Sequence, residues 1–124
     1  MVVIVAMPRV STLASGDSPR SWEGGAITET YTHNDLAVKP GMEDEFVRRW
    51  GEWADWSHRQ GLGAHARLLR DVESPRTYVS FGPWASIDAV RGWRSLAGYH
   101  ERVARLRDVV ESLEPRTFEL VVER

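Results

Sequence analysis

Four histidines are the side chains of this sequence that could exchange a proton near neutral pH. His100 follows Tyr99 at the opening of a predicted helix, where an imidazole could serve as a general base. His33 and His65 lie on predicted strands, and His58 falls in the last turn of a predicted helix, where positive charge is favoured. The histidines show no HxH or HExxH spacing and no acidic cluster joins them, so the sequence disfavours a metal site.

The composition excludes several other kinds of chemistry. The chain has no cysteine, which rules out thiolate catalysis, disulfides and cysteine-based metal centres. The formal net charge of −2 offers no basic field for nucleic acid, and no apolar run is long enough to cross a membrane. We therefore predict a soluble cytoplasmic protein with no nucleic-acid or membrane partner. Six tryptophans in 124 residues could fill a core, line a ligand cavity or anchor an interface.

The element that positions these residues is a helix predicted within Val38–Gly63. Pro40-Gly41 interrupts the chain ahead of it, and acidic residues at 43–45 suit the first turn. An apolar stripe follows helical spacing, so this face should pack against a sheet. Its central residues are Phe46, Trp50, Trp53 and Ser57, and we predict Trp50 and Trp53 mainly as core.

The strand predicted over Ala26–Val38 is polar on both faces. Thr32 and Asn34 share one face, which alternation separates from the face of His33. A strand this polar is not typical of a dry core. One of its faces therefore lines a polar cavity or a wet interface, although a simple edge strand would look similar.

The remaining elements complete a recognisable order. Further predicted strands are Ala64–Arg70, Thr77–Phe81 and Thr117–Glu123, and a helix capped by Ser86 bends near Gly98 and runs to Pro115. The order strand, helix, strand, strand, helix, strand predicts an α+β, ferredoxin-like βαββαβ fold with a four-stranded antiparallel sheet. Residues 1–25 are predicted as an N-terminal arm and 26–124 as the domain. The helices cover one sheet face, so we predict a homodimer that covers the other.

Three groups of residues stand in a familiar order and spacing. They are VKPGMEDEF (38–46) followed by Trp50, then FGPWAS (81–86) after a hairpin, then Trp93 followed by GYH (98–100). Together they resemble the antibiotic biosynthesis monooxygenase family over residues 26–123. The resemblance implies a dimeric α/β barrel with a pocket between sheet and helices in each subunit. One branch of that family oxidises polycyclic aromatic polyketides with O₂ and neither metal nor flavin, and another binds and degrades heme.

The resemblance also implies particular site residues. The heme-degrading branch uses an asparagine on the first strand, a tryptophan on the short helix and an axial histidine on the second helix. Asn34 and Trp93 match the first two, whereas Val103 stands where the axial histidine is expected and His100 lies one turn earlier. Without heme, Asn34 would donate a hydrogen bond to a developing enolate, and Trp93 would stack on a planar ring.

We therefore predict a cofactor-independent monooxygenase that oxidises an aromatic, quinone-forming small molecule with O₂. Its partners would be that substrate, O₂ and a second copy of the chain, with no metal and no cofactor. The predicted catalytic residues are Asn34 and His100, and the predicted substrate-binding residues are Trp93, Tyr99, Thr32 and Trp84. Two alternatives remain open: a heme-binding or heme-degrading monooxygenase, and a non-catalytic or lyase-like dimeric barrel that binds an apolar metabolite.

Overall fold

The computed structural model describes residues 29–63 and 65–124. Within these ranges the element order confirms the predicted ferredoxin-like arrangement, with the second helix divided in two. The elements are β1 (Thr30–Val38), α1 (Glu43–Arg59), β2 (Arg67–Arg70), β3 (Thr77–Trp84), α2 (Ile87–Arg94), α3 (Ala97–Arg107) and β4 (Val110–Glu119).

Glu29–Glu119 form one compact unit, and residues 120–124 contain neither helix nor strand. The predicted N-terminal arm, residues 1–25, lies outside the described residues, so its boundary with the domain stays a prediction. Among the helices that are described, none is long and apolar enough to span a membrane. The cytoplasmic location also stays a prediction.

The four strands form one antiparallel sheet in the order β2-β3-β1-β4. β1 is an interior strand, and its Asn34 pairs with Ser80 of β3 on one side and with Pro115 of β4 on the other. Because side chains alternate along a strand, one sheet face collects the even-numbered residues of β1 and β3. Those buried on this face are Thr30, Thr32, Leu36, Val38, Tyr78, Ser80 and Trp84.

The first helix, α1, begins and ends inside the predicted stretch. Gly41 has a φ of +81°, a left-handed conformation that glycine adopts without strain, and the helix begins two residues later. Its first turn is acidic, and hydrogen bonds from Arg48 and Arg49 lower the pKa of Glu45 to about 2. Its buried face contains Phe46, Trp53, Ala54, Trp56 and Ser57, while Trp50 is half-buried.

The C-terminal third differs most from the prediction. The helix predicted to run to Pro115 ends at Arg107, and β4 begins at Val110 instead of the predicted Thr117. Apolar residues near the junction fit either a helical stripe or a strand, so spacing alone placed this boundary wrongly. Pro115 lies within β4 because β4 is an edge strand of this sheet. An edge strand leaves alternate N–H groups unpaired, so a proline there sacrifices no ladder bond.

The third strand, β3, also extends further than predicted. Gly82-Pro83 was expected to end it after Phe81, but the strand continues to Trp84. Pro83 pairs with Tyr31 at a point beyond the end of β2, so its missing N–H faces no neighbouring strand. The helix start was predicted correctly, since the Ser86 side chain accepts a hydrogen bond from the Ala89 N–H at 3.1 Å.

The outer face of the sheet, opposite the helices, is partly exposed. Odd-numbered residues of β1 and β3 lie on it, together with Phe118 of β4 and Leu69 of β2. Phe118 is 44% exposed and Leu69 is 45% exposed. This face therefore exposes a large apolar side chain on each of the two edge strands.

Candidate active site

A cavity lies between the helix-covered sheet face and the helices. The sheet contributes hydroxyl, amide and apolar groups, and the helices contribute three tryptophans, a tyrosine and an arginine. The lining residues are Thr32, Asn34, Leu36, Trp50, Trp53, Ser80, Trp93, Arg94, Tyr99, Val103, Leu106, Leu113 and Pro115.

The cavity is narrow in this conformation. About 10 Å³ is open to the centre of a water molecule, which is room for roughly one water. Pockets that hold aromatic ligands of several rings typically measure a few hundred Å³. Trp50, Arg94 and Tyr99 are half-buried, so these large side chains lie where the lining meets solvent.

Asn34 is the polar centre of the sheet wall. Its amide Nδ2 donates a hydrogen bond to Ser80 Oγ over 3.3 Å, near the upper limit for such a bond. A side-chain amide carries two N–H donors, so this contact uses one of them. Asn34 therefore combines a position fixed by an interior strand with donor capacity for a ligand oxygen.

Thr32 and Trp84 form a supporting pair. The indole Nε1 of Trp84 donates to Thr32 Oγ1 over 3.0 Å in a buried hydrogen bond. Thr32 lines the cavity, whereas Trp84 does not and lies with its ring 4.6 Å from that of Trp93. The structure thus places Trp84 behind the cavity wall, where it positions its neighbours.

Trp93 and Tyr99 form the aromatic wall. Trp93 is 3% exposed, and its Nε1 donates to Ser57 Oγ over 3.1 Å. The Tyr99 ring meets the Trp93 ring edge-on at 4.8 Å. Both residues line the cavity together with Asn34 and Thr32. Four of the six predicted site residues therefore line one cavity.

His100 does not line the cavity. It is exposed on α3, with its ring 5.5 Å from that of Tyr99. Successive helical residues differ by about 100° around the axis, so the residue after an inward-facing tyrosine turns toward solvent. Val103, one turn further along, does line the cavity.

Several lining residues escaped the sequence analysis. Trp50 and Trp53 were predicted mainly as core, Ser80 and Arg94 were not singled out, and Pro115 was predicted only as the end of a helix. Ser80 and Pro115 reach the site through the strand register with Asn34, which a single sequence does not reveal. Arg94 could have been predicted as a lining residue, because it directly follows the predicted site residue Trp93 on the same short helix.

Comparison with known proteins settles the family. A model of the antibiotic biosynthesis monooxygenases matches residues 31–105, more than half of the chain. The chain belongs to this family. Membership supports a monooxygenase activity at a coarse level and leaves the substrate open.

Solved structures of family members share the fold. SnoaB, a cofactor-independent oxygenase from Streptomyces nogalater, matches in a variant form with 26% identity and a TM-score of 0.66, over 73% of this chain and 90% of SnoaB. A second SnoaB structure matches with 23% identity and a TM-score of 0.67, over 78% and 96% of the two chains. A candidate antibiotic biosynthesis monooxygenase from Bordetella bronchiseptica matches with 18% identity and a TM-score of 0.68, over 77% and 99%. No protein of curated function matches the sequence.

The cavity lining has few side chains that could bind heme iron. Proteins hold heme iron through histidine, cysteine, methionine or tyrosine. Among the described residues that line the cavity, only Tyr99 is of these types, and its ring is packed against Trp93. Val103 occupies the position where the resemblance to heme-degrading proteins calls for a histidine. The lining therefore does not suit heme.

His33 lies on the outer face of the sheet, away from the cavity. Its ring meets that of Phe118 edge-on at 5.2 Å, and its buried Nδ1 has no hydrogen-bond partner. Burial lowers the pKa of His33 below its usual 6.5, and Arg116 lowers it further, whereas Asp35 opposes both. The fold therefore favours the neutral imidazole.

This preference predicts a pH dependence of stability. Between the lowered pKa of folded His33 and 6.5, the unfolded chain binds more protons, so the free energy of unfolding falls as the pH is lowered through that window. We expect His33→Gln to make the Tm less sensitive to pH between about 6.5 and 5, the region where histidine titrates. His100→Gln, at an exposed histidine, is the matched control. An identical Tm profile for His33→Gln and the parent chain would contradict the assignment.

Proposed function

We propose that this protein is a cofactor-independent monooxygenase that oxidises an aromatic, quinone-forming small molecule with O₂. The observation that carries the proposal is the cavity in which the Asn34 amide faces the same space as Trp93 and Tyr99. Family membership and the similarity to SnoaB, a cofactor-independent oxygenase, support it. An anthrone is a suitable model substrate, since its methylene carbon becomes a quinone carbonyl.

The proposed reaction is balanced without any added cofactor. Loss of a proton from the anthrone gives an enolate, which passes one electron to O₂, and the two radicals then combine into a peroxide. Loss of water from the peroxide leaves the quinone, so one oxygen atom enters the product and the other becomes water. An N–H donor fixed beside the enolate oxygen stabilises the charge that develops there, and this is the role proposed for Asn34.

Aromatic side chains would hold the substrate in place. The Trp93 ring is fixed by its hydrogen bond to Ser57, and Tyr99 is packed against it. Flat rings stack favourably on such a wall, and they exclude water from the reactive carbon. Thr32 would add a hydroxyl on the sheet side, held by the bond from Trp84.

His100 is proposed to accept the substrate proton at the open side of the cavity, next to Tyr99. We expect His100→Gln to lower the rate by about tenfold or more near pH 7–8, where a histidine base is neutral, and by less near pH 5, where protonation removes the base in the parent chain as well. The measurement is the pH profile of anthrone oxidation by the full chain and the variant. Superimposable profiles would show that His100, which is exposed, is not the base and that the substrate proton passes directly to solvent.

Oxygen uptake tests the proposed activity. The full chain is mixed with 1,8-dihydroxyanthrone, and O₂ consumption and quinone formation are recorded together. We expect one O₂ consumed per quinone, and one labelled atom in the new carbonyl when ¹⁸O₂ is supplied. Equal oxidation without the protein would overturn the proposal and would favour the non-catalytic alternative. Oxidation that continued at the same rate without O₂ would overturn it as well.

A second copy of the chain is proposed to cover the outer face of the sheet. Phe118 and Leu69 are each close to half exposed there, and the partly buried His33 lies on the same face. A two-fold interface would bury both copies of this surface at once. Light scattering on the full chain in solution measures the outcome, and a monomeric mass at micromolar concentration would contradict it.

A further inference from the structure

We propose that the substrate carries a carboxylate, or an equivalent anionic oxygen, that binds Arg94 at the tryptophan side of the cavity. The inference deepens the proposed function and rests on it for the aromatic scaffold. It depends on a mismatch in hydrogen bonding: among the described lining residues, several buried N–H donors have no acceptor in the protein.

Arg94 is the first part of this mismatch. It is half-buried, and its Nη1 donates to Thr117 Oγ1 over 2.9 Å. Its Nε is buried without an acceptor, and its guanidinium carbon lies 5.9 Å from the centre of the Trp93 ring. Arg49 is a useful contrast, because that equally half-buried arginine pairs with Glu45 at 2.6 Å.

Arg94 has no carboxylate partner among the described side chains. The ion pairs within residues 29–63 and 65–124 involve other arginines, each matched to an aspartate or glutamate. A partly desolvated guanidinium is costly unless an anion or several acceptors accompany it. Its bidentate geometry suits a carboxylate better than any single neutral oxygen.

Two tryptophans add further unsatisfied donors. Trp53 is 6% exposed, and its Nε1 is buried without a partner, as is that of Trp50. Their rings lie 6.2 Å apart, and the Trp53 ring is 5.6 Å from that of Trp93. In contrast, the indole groups of Trp84 and Trp93 both have hydroxyl acceptors. Arg94, Trp53 and Trp50 all line the cavity and each has a buried N–H without an acceptor, and we call these three residues the donor subsite.

Water alone does not balance the donor subsite. The cavity has room for roughly one water molecule. One water accepts two hydrogen bonds, which is fewer than the unpaired N–H groups of Arg94, Trp50 and Trp53. Each donor left buried without an acceptor costs free energy that a ligand oxygen would recover. A substrate with several acceptor oxygens, at least one of them charged, is the ligand that this arrangement favours.

Paired ligands test the inference directly. Anthraquinone-2-carboxylate and 2-(hydroxymethyl)anthraquinone share their rings and differ in the anionic group. We expect the full chain to bind the carboxylate roughly 10–100-fold more tightly, the gain typical of a hydrogen-bonded ion pair. Quenching of tryptophan fluorescence, checked by calorimetry, measures both dissociation constants.

Variants assign the preference to a residue. Arg94→Gln should weaken carboxylate binding by about 10–100-fold while neutral-ligand binding changes less than about threefold. Arg102→Gln is the matched control, because Arg102 also has a buried, unpaired Nε but lies over Trp56, outside the cavity lining. The unchanged neutral ligand shows that Arg94→Gln remains folded.

Two binding patterns, and the absence of any binding, overturn the inference. One is equal affinity of the parent chain for both ligands, and the other is a similar loss in Arg94→Gln and Arg102→Gln. Failure to bind either ligand at millimolar concentration also rejects this substrate class. The proposed activity has a separate readout, since a neutral anthrone should still be oxidised if only the anionic preference is wrong.

Discussion

Replacing Asn34 with leucine is expected to lower kcat for 1,8-dihydroxyanthrone oxidation by roughly 10²–10³-fold, the usual effect of removing one donor to a developing oxyanion. Leucine preserves the approximate size of the side chain and removes both amide N–H groups. The loss should fall mainly on kcat, because the charge on the substrate oxygen develops during the reaction. Steady-state oxygen uptake gives kcat and KM separately.

Asn34→Asp sharpens this experiment. A carboxylate replaces the donating NH₂ group with a second acceptor oxygen, and its charge repels an enolate, so the rate should fall at least as far as in Asn34→Leu. Thr77→Ala, at an exposed position where β3 begins, is the control strand substitution and should leave the rate unchanged. Full activity in a folded Asn34→Leu protein would remove Asn34 from the mechanism.

The second large effect concerns stability. Trp93→Ala should reduce the free energy of unfolding by about 3–5 kcal/mol, the range for truncating a buried aromatic side chain. The Trp93 ring contacts the rings of Trp53, Trp84 and Tyr99, and its removal also leaves Ser57, which is fully buried, without its indole donor. Urea unfolding followed by circular dichroism measures the loss.

Two further variants separate the contributions at Trp93. Trp93→Phe keeps most of the ring contact but removes the hydrogen bond, so we expect a smaller loss of about 1–3 kcal/mol. Trp50→Ala removes an indole that is only half-buried and whose Nε1 makes no hydrogen bond. It should therefore lower the free energy of unfolding by less than Trp93→Ala. A loss below 1 kcal/mol for Trp93→Ala would show that the cavity closes readily around the gap, contrary to this packing scheme.

The fold could be predicted because its signals are local. Acidic residues at 43–45, the stripe from Phe46 to Ser57 and the Ser86 cap each depend on neighbours a few residues away. Helical and strand periodicities in the right order then leave few arrangements, and the ferredoxin-like order followed. The errors fell at Gly82-Pro83 and Pro115, where strand position, and not the proline itself, determines what is tolerated.

The candidate site was only partly predictable for a different reason. Asn34 and Trp93 were predicted as site residues because the Pro40-Gly41 break and the FGPWAS motif (81–86) fix their positions along the chain. Ser80 and Pro115 face Asn34 through strand pairing between segments far apart in sequence, and no spacing reports that register. His100 lies outside the cavity lining, because one helical step from the inward-facing Tyr99 leads to an exposed position, and its role as a base stays a prediction.

The sequence by itself determined the family and the order of the elements. Only the tertiary structure decided which polar groups of that interior lack partners. Hydrogen-bond satisfaction depends on distances between elements, so Trp84 and Trp93 find hydroxyls while Trp50, Trp53 and Arg94 do not. That difference in hydrogen bonding is the basis of the anionic ligand proposed above for this cavity.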